Sequence, residues 1–95
     1  MQLAEALLRP ARTGQVRRPA VPVEAMRDLG ELLRLRRERL GLRQQDAARQ
    51  VPVSHRLWCE VENFKRHEVG AATLLRMLRS VGIRVQLVLE AVPDA

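Results

Sequence analysis

Tyrosine is missing from these 95 residues, and phenylalanine, tryptophan, cysteine and lysine occur once each. A single cysteine, Cys59, excludes an internal disulfide framework and any cysteine-rich metal site, and fits a reducing compartment. The two histidines, His55 and His67, stand far apart without clustered acids, so no metal site is expected. The sequence holds no Ser/His/Asp arrangement, no paired carboxylates in a plausible cleft and no glycine-rich phosphate loop. Catalysis therefore has no residues to carry it, and no cofactor is expected. No run approaches the ~18 apolar residues of a membrane span, and the first ten residues make a poor signal peptide. The expectation is a binding protein, soluble and cytoplasmic, with no small-molecule ligand.

Positive charge is present in excess, with 17 Lys and Arg against 11 Asp and Glu. Seven of the arginines fall between Arg34 and Arg56. A GC-rich genome would account for arginine in place of lysine, but not for the net charge. Such a surface binds polyanions through counterion release.

The residues from Gly41 to Glu62 show what the charge surrounds. A helix ends at Gly41, a second spans roughly Gln44 to Gln50, and Val51-Pro52-Val53 is too short and proline-broken to be anything but a turn. Ser54 then caps a third helix, so His55 and Arg56 project from an exposed helix start that fits a major groove. The first helix begins between Pro22 and Asp28 and runs to Leu40, with Leu29, Leu32, Leu33 and Leu40 on its apolar stripe. The second buries Ala47, Ala48 and Val51, and the third Leu57 or Trp58 with Val61. A fourth, from about Ala71 to Val81, buries Leu74, Leu75, Leu78 and Val81 and stops at Gly82. Trp58 could also serve as a stacking platform, but beside Leu57 and Val61 it reads as core.

Residues 1–22 read as a flexible basic arm, broken by Pro10, Gly14, Pro19 and Pro22. Its Arg9, Arg12, Arg17 and Arg18 suit a phosphate backbone or minor groove, unless the arm is merely a solvated tail. Gln2 to Leu8 could form two helical turns. Residues 23–82 form the helical domain, and 83–95 differ in kind. From Ile83 to Ala91 apolar residues alternate, with Ile83, Val85, Leu87 and Leu89 on one face, which is the period of a strand. Val21 and Val23 are the only candidate partners in the chain, and the prolines around them permit at most an edge. Pairing with the same strand of a second subunit is therefore expected, giving a homodimer, and the alternative is that helix four continues past Gly82.

The run Leu-Gly-Glu-Leu-Leu-Arg-Leu-Arg-Arg-Glu-Arg-Leu-Gly-Leu-Arg-Gln-Gln-Asp-Ala-Ala from Leu29, followed by Val-Ser and Val-Glu-Asn, resembles the Cro/C1 (XRE-type) helix-turn-helix family. The resemblance covers Leu29 to Ile83. It implies a mostly α, lambda-repressor-like domain of four to five short helices with a C-terminal β-strand pairing across a homodimer. The tail Arg84-Val-Gln-Leu-Val-Leu is similar to that of HipB-type antitoxins. These repress their own toxin-antitoxin operon and bind a HipA-like kinase toxin.

Carried onto this chain, the resemblance gives Gln44 a phosphate contact and gives His55, Arg56 and Glu60 the base-facing positions. Arg56 would take guanine O6 and N7, and Glu60 would accept from a cytosine amino group, unless either makes only a backbone or intrahelical contact. Asn63, Lys65 and Arg66 would meet phosphate again. Cys59 lies near this face, either as a thiol switch or as a small tolerated residue. Arg37 and Glu62 match a partly buried ion pair tying helices one and three. Three departures stand out. Arg43 replaces the usual cap of helix two and could reach phosphate instead. Pro52 replaces a turn glycine, so that turn must avoid a positive φ. Phe64 replaces another glycine and would pack on the core or project toward a partner. Leu35, Val88 and Val92 are further candidates for a partner surface.

The function so implied is an autoregulating, sequence-specific repressor that binds double-stranded operator DNA and serves as the antitoxin of a HipA-like kinase. The alternatives are a free-standing XRE-type regulator, or a protein-interaction adaptor whose reader is degenerate.

Overall fold

The computed structural model describes residues 20–66 and 68–93, and within them the chain forms four helices. These are α1 (Met26–Arg39), α2 (Gln44–Gln50), α3 (His55–Glu62) and α4 (Ala71–Ser80). The Gln2–Leu8 helix, the arm arginines Arg9, Arg12, Arg17 and Arg18, and His67 lie outside the described residues.

The starts of α1 and α3 are satisfied by side chains. Asp28 Oδ2 accepts the backbone N–H groups of Glu24 and Ala25 at 2.9 and 3.0 Å, which satisfies free donors at the head of α1. Those two donors hold the Asp28 carboxyl below its ordinary value. Ser54 Oγ accepts from Leu57 N–H at 3.0 Å and so caps α3. Arg43 makes no side-chain cap on α2, and instead its guanidinium pairs with Asp46 one turn on at 2.8 Å.

The ends of α1, α3 and α4 share one device. Leu42 N–H bonds to Arg37 O, Lys65 N–H to Glu60 O and Ile83 N–H to Leu78 O, each enclosing a second bond that spans fewer residues. This closure needs one residue in the left-handed region, which glycine enters without penalty. Gly41 (φ 72°) and Gly82 (φ 81°) supply it for α1 and α4, whereas Phe64 (φ 62°) occupies that conformation after α3. Arg36 from α1 adds a donor to the end of α4 through Nε to Val81 O at 3.0 Å, placing a cation where the helix dipole favours one.

α1 packs on α3, and α2 packs on both α3 and α4. The core consists of Leu33, Ala47, Ala48, Trp58, Val61, Met77, Leu78 and Val81, with Leu29, Leu57, Leu74 and Ile83 packed against it. Small side chains at Ala47 and Ala48 let α2 lie close to the bulky Trp58. Two stripe assignments require correction. Leu40 follows the last residue of α1 and is exposed, because the chain has already turned toward Gly41. Leu75 is also half exposed, since the face that points inward from α4 runs through Leu74, Met77, Leu78 and Val81.

Close approach of α1 to the end of α3 depends on Gly30. A Cβ built there would stand 2.3 Å from Val61 O and about 3 Å from the Phe64 ring, so alanine must push the helices apart. Gly30→Ala is expected to cost about 1–3 kcal/mol, the usual range for overpacking. Thermal unfolding checks it, and an unchanged midpoint would mean that the two helices separate freely.

Among the described residues the tail forms no helix, since α4 ends at Ser80, which removes the alternative of its continuation past Gly82. Among the described residues it forms no strand either, and beyond Ile83 it stands in water, with Leu87 85% and Leu89 94% exposed. Val21 and Val23 form no strand. No described helix is long and apolar enough to cross a membrane.

Candidate nucleic-acid interface

The turn after α2 sets α3 across it, with the Val51–Pro52 peptide cis and Pro52 free of the positive φ that a glycine would have allowed. Trp58 and Val61 face inward from α3, so its other side faces solvent. On that side Arg56, Cys59, Glu60, Asn63 and Lys65 line one open depression. His55 and Arg56 are exposed beside the capping Ser54, as are Asn63, Lys65 and Arg66 beyond the helix. Most of the residues expected to bind DNA are thereby brought to one face.

The arginines on this face are not all free. Arg56 Nε donates to Glu60 Oε1 at 2.8 Å, and Arg66 Nε lies 3.6 Å from Glu60 Oε2. Glu60 therefore has a guanidinium at each carboxylate oxygen, which leaves it poorly placed to accept from a base. Arg43 is exposed but holds Asp46, which keeps the Asp46 carboxyl low.

Gln44 departs further from its expected contact. Its Nε2 donates to Glu62 Oε1 at 3.2 Å, and its Oε1 accepts from Cys59 Sγ at 2.9 Å, so both ends of the amide are engaged inside the protein. The cause is Glu62, only 3% exposed, whose carboxylate needs donors from every side. Arg37 supplies two, from Nε at 2.7 Å and Nη2 at 2.9 Å, while its Nη1 donates to Leu42 O at 2.9 Å. Trp58 Nε1 supplies another from one turn back on α3. Burial alone would push the Glu62 carboxyl up, but hydrogen bonds from Arg37, Gln44 and Trp58 outweigh it and hold the group below the ordinary glutamate value. The same pairing raises Arg37, against its own desolvation. This buried network ties α1, α2 and α3 together beneath the exposed side of α3. The family resemblance reached the Arg37–Glu62 pair but not its companions Gln44 and Trp58, nor the separate Arg36 bond to Val81. Among the described residues no cluster of three His, Cys, Asp or Glu side chains could hold a metal ion.

Charge, capping and an exposed short helix set across a tight turn give a surface able to enter a duplex groove and neutralise phosphate. A family model described as a helix-turn-helix domain matches residues 28–90 of the 95. No curated protein and no solved structure matches the chain.

Proposed function

Because the chain belongs to the helix-turn-helix domain family, and is thus a DNA-binding regulator, we propose that it is a sequence-specific transcriptional repressor whose α3 enters the major groove. The observation that carries this reading is the α3 face, where Arg56, Asn63, Lys65 and Arg66 stand exposed around a capped helix start. Arg56 is the base-reading residue, and Lys65, Arg66, Asn63 and Arg43 meet phosphate. Gln44 acts from beneath, by holding α2 against α3.

The repressor acts as a homodimer joined through the tail run Ile83, Val85, Leu87 and Leu89, in which Ile83 packs on the core of its own subunit and the other three supply the open edge. Exposure of Val85, Leu87 and Leu89 on one side of an alternating run supports this, because an exposed apolar edge is a template for pairing with another chain. The likeness of that tail to HipB-type antitoxins supports a role as the antitoxin of a HipA-like kinase, with repression of the shared operon.

DNase footprinting of the full chain upstream of its own gene is expected to protect two half-sites related by a twofold axis, roughly 34 Å or a multiple apart. Absence of a protected palindrome would remove autoregulation, and absence of specific binding at modest salt would turn the protein into an adaptor. The antitoxin role requires an adjacent gene for a HipA-like kinase and co-purification of its product. A neighbour of another kind leaves a free-standing regulator.

A further inference from the structure

Glu60 places a negative charge on the face that is to meet phosphate. Its pairing with Arg56 gives α3 little in return. The pair is solvent-exposed on the arginine side, with Arg56 89% and Glu60 23% exposed, and such i,i+4 pairs are weak. Its order is also the unfavourable one. Arg56, second residue of the helix, adds a cation to the positive end of the dipole, and Glu60 adds an anion toward the negative end. Helix stability therefore does not explain the pair.

Geometry gives it another use. With Nε held by Glu60 Oε1 at 2.8 Å, the guanidinium of Arg56 has no other partner among the described residues and turns its two Nη groups to the outer end. Arg66, 3.6 Å from the other carboxylate oxygen, flanks Glu60 from the loop side and adds a second positive charge beside it. We infer that Glu60 is a positioning residue for base readout, holding Arg56 as a fixed fork whose two Nη groups meet O6 and N7 of one guanine. The inference rests on α3 being the major-groove helix.

An unheld arginine this exposed must lose its rotamer freedom when it binds, and holding it beforehand removes that cost for the matching base alone. The carboxylate also offsets the attraction of Arg56 for phosphate in general. Affinity for unrelated DNA falls while the directional contact is kept, which widens the difference that constitutes specificity.

The test is selection from a random duplex library, followed by affinity measurements on single-base variants of the selected site, using wild type, Arg56→Ala, Glu60→Ala and Glu60→Gln. Wild type is expected to select guanine at one position of each half-site, and Arg56→Ala to lose about 5- to 150-fold discrimination there. Glu60→Ala is expected to lose roughly threefold to tenfold at that same position. It should meanwhile bind unrelated duplex more tightly, since one negative charge has left the face. Glu60→Gln, whose amide oxygen can still accept from Arg56 Nε, should fall between. Loss of preference at a different position would mean that Glu60 reads a base itself, and an unchanged profile would mean that the pair is surface ornament. Either result overturns the inference. A wild-type chain that selects no sequence overturns the DNA-reading assignment along with it. Unfolding midpoints close to wild type, expected because alanine favours a helix at this position, separate these effects from misfolding.

Discussion

Arg37→Ala is expected to destabilise the domain by roughly 3–5 kcal/mol, the cost of leaving a buried carboxylate without its ionic partner. Glu62 is 3% exposed and cannot reach water, and Gln44 and Trp58 alone cannot neutralise it. Against the 5–15 kcal/mol of an ordinary domain this is a large share, so the thermal midpoint should fall by roughly 12–40 °C, as circular dichroism would show. A double variant, Arg37→Met with Glu62→Leu, should regain only part of the loss. It removes the stranded charge, but the Trp58 indole N–H and the Gln44 amide lose their acceptor. The pH dependence has a definite sign. Because Glu62 is held below its ordinary value in the folded chain, its contribution is present at and above the normal glutamate range and is lost as pH falls through the depressed value. Acid unfolding should therefore extend to lower pH in wild type than elimination of this pair would allow, and Glu62→Gln should flatten that limb of the stability curve. A wild-type profile flat from neutrality to strong acid would contradict the assignment.

The second large effect concerns DNA. If about six phosphates are neutralised by Lys65, Arg66, Arg43 and their symmetry mates, duplex affinity should fall on the order of 10³-fold between 50 and 200 mM salt. Lys65→Ala should weaken binding to all sequences alike and reduce the log-log slope by about one per subunit, whereas Arg56→Ala should act on one base position. Fluorescence anisotropy across a salt series separates the two. A flat salt response would show that the exposed arginines do not touch phosphate, and would favour the adaptor reading.

Helix boundaries were the most legible part of the sequence, because Gly41 and Gly82 mark backbone conformations that other residues resist. α2 lies at the bounds its pattern predicts. Spacing alone was weaker at choosing inward faces. Leu40 satisfies the stripe of α1 but falls past its last turn, and Met77 takes the core place that Leu75 was expected to fill. The third helix ending was opaque, since nothing local announces that Phe64 accepts a left-handed backbone where a glycine is usual. Its ring over Gly30 offers the compensating contact. Contacts between distant residues were legible only where a family pattern existed, as for Arg37 and Glu62. The inward turn of Gln44 depends on α2 and α3 meeting 18 residues apart in sequence, which no periodicity encodes.

The chain's lone tryptophan carries a practical consequence. Trp58 is wholly enclosed, its indole N–H is bound to the Glu62 carboxylate, and there is no tyrosine to contribute background. Ultraviolet emission from the whole protein thus originates at a single fluorophore beside a fixed charge, so a shift in its colour reports on the helix-one to helix-three junction without any label.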